Sequence, residues 1–225
     1  MHLLYNKNEG SAQMNKILEY YESPVRASKR EEIIKCAKLI FVDQGIQNLS
    51  MKDIAKQCDV SLRSLYYYYR SKEDLAVDVM IYVMNDFTNI YNTTYDQSKS
   101  AYNNLAIILE HLNFEFINRK DDIKYITAFD FYFFKSYPNE RYSIFLKSLQ
   151  QNHSIQKVIE MSLIDRSINY HGFQPVELLA TLLQALLAYA QKIIYREKVM
   201  ALENLPGFGD YSIILKFYLD SLKAQ

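Results

Sequence analysis

Glycine and proline are scarce in this chain, with 5 and 4 residues among 225. Sheet proteins use both residue types at their many turns, so their scarcity predicts an all-α fold. Tryptophan is absent, but 20 tyrosines and 12 phenylalanines supply large side chains for a core. A hydrophobic content of 49% excludes wholesale disorder. We therefore expect a helical globular protein with one large domain or two smaller ones.

The chain also lacks a cysteine framework and recognisable catalytic motifs. Two cysteines, Cys36 and Cys58, are too few for the disulfide scaffold of a small secreted domain and favour a cytoplasmic location. Both lie in predicted helices, so we interpret them as small buried side chains, and no sequence pattern supports a redox switch. The histidines have no metal-ligand spacing, and no phosphate loop or nucleophile motif occurs. The sequence predicts no metal, no cofactor and no enzymatic activity.

No hydrophobic run is long and pure enough to predict a membrane span. The most apolar stretch, residues 176–194, is interrupted by Glu177, Gln184, Gln191 and Lys192. A spanning helix needs roughly 20 nearly uninterrupted apolar residues, so this stretch is interpreted as a buried or interface helix and no membrane partner is expected. Residues 1–24 lack the apolar core of a signal peptide. They are predicted to form an N-terminal extension with a short helix near residues 14–21.

Hydrophobic periodicity predicts about nine helices and no strand. Serine caps mark the start of several of them, and Gly45 is expected to end the first in a left-handed conformation. The expected ranges are residues 31–44, 50–57, 62–69, 72–95, 105–116, 123–135, 140–170, 175–200 and 210–222.

Two short helices joined by a tight turn, following a longer helix, form the pattern of a helix-turn-helix. Residues 26–72 contain ten basic and five acidic side chains, a net charge of +5 in a chain whose total is zero. This asymmetry places any phosphate-binding surface in the N-terminal part of the chain.

Residues 49–75 resemble the DNA-binding domain of the TetR family of bacterial regulators. The matching positions are Ile54-Ala55, Val60-Ser61, Leu65-Tyr66-Tyr67 and Ser71-Lys72-Glu73-Asp74-Leu75. Asp59 stands where the family usually has a turn glycine, while Tyr68 and Tyr69 stand where histidine and phenylalanine are common. The resemblance implies a helix-turn-helix domain at residues 25–71 and an effector-binding and dimerisation domain at residues 72–225.

Eight residues fall on family positions that approach DNA, namely Lys52, Leu62, Arg63, Ser64, Tyr66, Tyr67, Tyr68 and Lys72. Arg63 is the best candidate for bidentate guanine recognition, and Leu62 suits a thymine methyl group. Lys52, Tyr67, Tyr68 and Lys72 are expected at phosphates, which position a domain without reading sequence. The four consecutive tyrosines point in four directions on a helix, so they cannot all belong to the core.

The resemblance also implies an effector cavity and a homodimer. The predicted pocket residues are Phe87, Tyr91, Phe114, Tyr125, Phe129 and Phe133, with ordinary core packing as the alternative for each ring. Few charges interrupt these stretches, so a mostly apolar effector is expected. The last two helices carry more apolar surface than one stripe requires. Their predicted interface residues are Leu179, Leu183, Leu186, Leu187, Ile194, Ile214, Phe217 and Tyr218, with burial inside the chain as the alternative.

These features together predict a homodimeric, cytoplasmic transcriptional regulator. In this family such a protein is most often a repressor that an effector releases from a palindromic operator. One alternative is a regulator of the same fold that activates transcription or responds to a protein partner. Another is a ligand-binding or scaffold protein that no longer binds DNA.

Overall fold

The computed structural model describes residues 23–136, 138–149, 153–203 and 211–224. Within these ranges the chain is almost wholly helical, which confirms the all-α prediction, and its only strand-like pairing is a single bridge between Ile168 and Lys223. The described residues form ten α-helices: α1 (Pro24–Gln44), α2 (Met51–Gln57), α3 (Leu62–Tyr68), α4 (Lys72–Thr94), α5 (Ala101–Asn118), α6 (Lys120–Phe133), α7 (Glu140–Leu149), α8 (His153–Asp165), α9 (Pro175–Glu203) and α10 (Tyr211–Leu222). The predicted helix at residues 14–21 lies outside the described residues.

The two largest differences from the predicted helix boundaries are at the start of α1 and at the end of α8. Helix α1 begins at Pro24, earlier than predicted, because Ser23 accepts a hydrogen bond from the Arg26 amide and proline suits the first helical position. The predicted end of the helix expected over residues 140–170 was wrong. Helix α8 stops at Asp165, since Arg166 takes a φ of 52° and the chain then leaves the helix.

The chain divides into two compact units. The first comprises the chain up to Val79 together with the segment Pro138–Ser148, which contains most of α7. Its core is formed by one apolar face from each of four helices, with Ile33, Ala37, Phe41, Ile54, Leu65 and Leu75 fully buried. Gly45 ends α1 with a φ of 80°, as predicted, and the Phe41 carbonyl accepts its N–H.

The second unit comprises Met80–Tyr137 and Leu149–Gln225. Helix α5 is central to it and packs against α6, α8, α9 and α10. The buried face of α5 includes Leu105, Ile108, Leu109 and Leu112. Asn104 is also buried there, but all its polar atoms are used: its Nδ2 donates to three backbone carbonyls and its Oδ1 accepts the Asp96 amide.

Candidate nucleic-acid interface

Helix α2 is fixed at its start by a reciprocal cap. The Asp53 amide donates to Ser50 Oγ at 3.2 Å, and the Ser50 amide donates to Asp53 Oδ2 at 2.9 Å. This is the Ser-x-x-acid capping box that the sequence predicted. The hydrogen bonds from Ser50, side chain first and then backbone, hold the pKa of Asp53 below its ordinary value.

The turn between α2 and α3 is built from a left-handed residue and a new cap. Asp59 has a φ of 51°, so the residue that replaces the usual glycine does take the left-handed conformation. The Val60 amide then donates to the Ala55 carbonyl at 3.0 Å, and Ser61 caps α3 by accepting the Ser64 amide. This short turn sets the direction in which α3 leaves α2.

Helix α3 has one buried face and a broad exposed one. Leu65 is completely buried, and Tyr69, directly after the helix, packs inward. The opposite face exposes Leu62, Arg63, Tyr66 and Tyr67, while Ser64 and Tyr68 are half-buried. Lys52 on α2 is exposed as well. Seven of the eight predicted contact residues therefore lie on surface that a ligand can reach without unfolding the domain.

Lys72, the eighth predicted contact residue, has a structural role that the sequence did not indicate. Its Nζ donates to the carbonyls of Ile46 and Leu49, each at 2.7 Å. Burial lowers the pKa of this ammonium group. Lys72 thus satisfies carbonyls of the connection between α1 and α2, and its contact with a phosphate stays a prediction.

Arg26 lies beside two of the predicted contact residues, a position that the sequence reasoning missed. Its guanidinium carbon lies 4.7 Å from the centre of the Tyr67 ring and 6.0 Å from that of Tyr68. The two rings meet edge to face with centres 5.3 Å apart. A cation over an aromatic face is attracted by the ring quadrupole, so the first turn of α1 is held beside the end of α3. Only the tertiary fold reveals this contact, because the two segments are far apart in sequence.

A charge cluster around the buried Asp78 carboxylate connects three helices of the first unit. The Asp78 carboxylate on α4 lies 2.6 Å from Arg141 Nη1 on α7 and 3.8 Å from Arg30 Nε on α1. Burial raises the pKa of Asp78, and the two arginines oppose that rise. Burial also raises the pKa of Tyr69, followed by the effect of the nearby Asp78 charge. The cluster therefore joins α1, α4 and α7 near Tyr69, the residue at the end of α3.

The two cysteines form a disulfide bond, so their interpretation as unpaired small buried side chains is wrong. Cys36 lies in the middle of α1, and Cys58 caps the end of α2. Both are only partly buried, and their Cα atoms are 5.7 Å apart although 22 residues separate them in sequence. The crossing of α1 and α2 brings them together, which helical periodicity alone cannot reveal.

Residues 33–79 match the family described as bacterial regulatory proteins of the tetR family. Through these residues the chain is similar to the DNA-binding part of the TetR family. It is 35% identical over 94 residues to the regulator YuxN of Bacillus subtilis, covering 38% of this chain and 32% of that protein. It is 25% identical over 115 residues to the repressor KstR2 of Mycolicibacterium smegmatis, covering 47% of this chain and 56% of that protein. The chain thus spans about half or less of the length of these curated relatives.

Solved structures extend the TetR-family likeness to the fold of nearly the whole chain. The structure of a TetR-family regulator from Haemophilus influenzae aligns with a TM-score of 0.63 at 13% sequence identity. The alignment covers 90% of this chain and 100% of that regulator's chain. A regulator from Shewanella sp. PV-4 matches 88% and 99% with a TM-score of 0.61 at 16% identity. At such identities the likeness concerns the fold alone.

The predicted effector-pocket residues of this chain fall into different environments. Phe87, Tyr125 and Phe129 are buried in the second unit, Phe133 is partly exposed and Phe114 is exposed. The Phe129 ring lies 4.6 Å from Phe133 and 6.3 Å from Tyr125, so these rings fill space against one another. The side chain of Tyr91 lies outside the described residues. These rings remain a prediction for the effector site, with core packing as the competing explanation.

A concave site of about 170 Å³ occurs elsewhere in the second unit, between α5, α6 and α9. Its lining residues are Phe116, Ile117, Lys120, Ala190, Ile193, Ile194 and Glu197. None of the six predicted rings belongs to it. Lys120 Nζ lies 2.6 Å from Glu197 Oε1, so an ion pair joins α6 to α9 at this site. Among the described residues, no group of three His, Cys, Asp or Glu side chains converges as a metal site would require.

Helices α9 and α10 each have one buried face and one exposed apolar face. Leu179, Leu186 and Ile194 of the predicted dimer interface are buried within this chain, which makes them unavailable to a partner. Leu183, Leu187, Ile214 and Tyr218 are partly exposed, and Phe217 is 69% exposed. Residues Pro175–Glu197 are long and apolar enough to cross a membrane by length and composition, with a mean hydropathy of 1.4, yet only 22% of that stretch is buried.

Proposed function

We propose that this chain is a DNA-binding transcriptional regulator that reads its operator with α3. The observation that carries the proposal is the arrangement of α3, whose single buried residue, Leu65, leaves Arg63 and its neighbours exposed. A helix of this kind fits the major groove, which is about 12 Å wide. The net charge of +5 over residues 26–72 supplies the attraction to phosphate.

The residues of the proposed interface divide into two roles. Arg63 donates two hydrogen bonds to a guanine edge, and Leu62 contacts a thymine methyl group. Lys52, Tyr67 and Tyr68 contact phosphates, and Arg26, supported by the Tyr67 ring, joins them. Arg26 thus adds a positive charge at the C-terminal end of α3.

A homodimer is the proposed assembly, formed through the exposed faces of α9 and α10. Val176, Leu183, Leu187, Ile213 and Phe217 leave apolar surface uncovered within one chain. Exposed apolar faces of this extent mark interaction surfaces, and a second copy covers both helices at once. This pairing also accounts for the low burial of the apolar segment Pro175–Glu197 without placing it in a membrane. The two α3 helices of such a dimer bind a palindromic operator with half-sites roughly 34–36 Å apart.

Repression relieved by an effector is the proposed mode of action. The likeness to a repressor, KstR2, supports the sign of regulation. Helix α4 runs without interruption from Lys72 in the first unit into the second, so it transmits a change at the effector site to α3. The effector shifts the equilibrium only by its preference for one conformation, typically about 1–3 kcal/mol.

The experiment that tests DNA recognition begins with selection of bound duplexes from a random pool. Mobility shifts with the selected operator then compare the native protein with Arg63→Lys and Arg63→Ala. The lysine variant keeps the charge but loses bidentate geometry, so it should lose about 1–3 kcal/mol on the operator and bind random DNA unchanged. The Arg26→Gln variant should lower the salt slope by about one without changing sequence preference.

Two outcomes would decide against this proposal. Failure to enrich any sequence would favour a protein of this fold that no longer binds DNA. Unchanged operator affinity of Arg63→Ala, with an unchanged thermal melt, would show that α3 does not read the bases.

A further inference from the structure

The disulfide lies where it can influence DNA binding directly. Cys36 and Cys58 are the only cysteines in the chain, and their bond joins α1 to the end of α2 inside the DNA-binding unit. Cys58 lies just before Asp59, and Ser61 then caps α3. Both cysteines are partly exposed, so a small thiol reagent can reach them. The function proposed above uses neither residue.

We propose that Cys36 and Cys58 form a reversible oxidation site that sets the DNA affinity of the domain, a proposal that rests on the DNA-binding function. The partner reagent is a low-molecular-weight disulfide of the glutathione class. One cysteine thiolate attacks a reagent sulfur, forms a mixed disulfide and releases the first small thiolate. The second cysteine thiolate then attacks the protein sulfur of that mixed disulfide and releases the second. The two protein thiols lose two electrons and two protons, and the reagent is reduced to two thiols.

The net charge of the segment that contains the pair favours this chemistry. The thiolate is the reactive form of cysteine, and nearby positive charge lowers the pKa of a thiol. The segment that contains both cysteines carries a net charge of +5, as counted over residues 26–72. The pair also suits the expected cytoplasmic location, because a reducing compartment keeps both cysteines in the thiol form until an oxidant accumulates.

The disulfide bond changes DNA affinity by restraining the helices of the helix-turn-helix. Helices α2 and α3 have seven residues each, too few to be stable alone. Closing the bond removes conformations in which the end of α2 separates from α1. The helix-turn-helix of the oxidised protein therefore loses less conformational entropy when it binds DNA. We expect the oxidised protein to bind its operator about fivefold more tightly than the reduced protein, which is at the low end of ordinary coupling between sites.

The first test counts thiols in the full-length protein. The protein is equilibrated in glutathione buffers of graded oxidised-to-reduced ratio, and free thiols are trapped with a maleimide and counted by mass. The expected result is a reversible change from two thiols to none, with no glutathione retained and no link between chains. The Cys36→Ser and Cys58→Ser variants should instead retain one thiol or one bound glutathione. Retention of both thiols in the most oxidising buffer would overturn the proposal.

The second test measures operator affinity and thermal melting of the same oxidised and reduced samples. The double variant Cys36→Ser/Cys58→Ser is the control, and both of its properties should be independent of the buffer. Equal operator affinity of the two native forms would overturn redox control of DNA binding. If neither form binds any DNA, the proposed function fails, and the thiol count and the melting difference still decide whether the pair closes and restrains α1 and α2.

Discussion

Replacing Leu65 by alanine should separate the folding role of α3 from its recognition role. Leu65 is 0% exposed and is the buried residue within α3, so the helix depends on it for attachment to the rest of the domain. Truncating a fully buried leucine removes apolar contacts and leaves a cavity, with costs of about 2–5 kcal/mol. We expect a loss of about 3 kcal/mol in the free energy of unfolding.

Leu62 provides a matched control on the same helix. It is 39% exposed, so Leu62→Ala leaves little cavity, and alanine is a slightly better helix former. We expect its free energy of unfolding to stay within about 0.5 kcal/mol of the native value. Its operator affinity should nevertheless fall, because the proposed contact with a thymine methyl group is lost.

Urea denaturation followed by circular dichroism measures both variants, with the disulfide kept oxidised throughout. A change in midpoint at constant slope reports a change in stability. The reasoning fails if Leu65→Ala unfolds at the native midpoint, or if Leu62→Ala is destabilised as strongly as Leu65→Ala. Either result would mean that the inward and outward faces of α3 are not those described.

Three further predictions concern capping, pH and assembly. Ser50→Ala should lower the free energy of unfolding by about 1 kcal/mol in the same urea assay, because α2 loses its cap. The pKa of Asp53 is lowered in the folded state, so its contribution is fully present above the ordinary value of 3.8 and is lost as pH falls through the folded pKa. Asp53→Asn should therefore flatten the acid side of the stability curve. Phe217→Asp should give monomers by light scattering, whereas Phe131→Asp, a similarly exposed phenylalanine at 64%, should leave the dimer intact; dimers in both would refute the α9–α10 interface.

Local patterns in the sequence were sufficient for much of the helix-turn-helix. Ser50 and Ser61 were identifiable as caps because a cap needs only residues within one turn of itself. The glycine at position 45 and the aspartate at position 59 marked left-handed residues for the same reason, since a backbone preference belongs to the residue itself. The apolar character and spacing of Leu65 placed it inside, and the resemblance to the TetR family placed Arg63 outside.

Contacts between distant segments were beyond such reasoning. The same sequence pattern permits a free Cys36 or a bonded one, because helical periodicity does not fix how two helices cross. Arg26 looked like an ordinary surface charge until α1 and α3 were seen to place it over Tyr67. Periodicity also could not decide which face of α9 belongs to a dimer interface. Only the burial seen in the structure assigned Leu179 to the interior of the chain.

The sequence by itself determined the helical class and the helix-turn-helix, since these depend on propensity, spacing and capping within a few residues. The residues that α3 can offer to DNA were predicted from the resemblance to the TetR family. The tertiary structure decided the disulfide, the position of Arg26 beside the recognition helix, the anchoring of Lys72 and the charge cluster around Asp78. Each of these depends on the packing of helices that are far apart along the chain, and that packing follows from the shape of the whole core rather than from any local pattern.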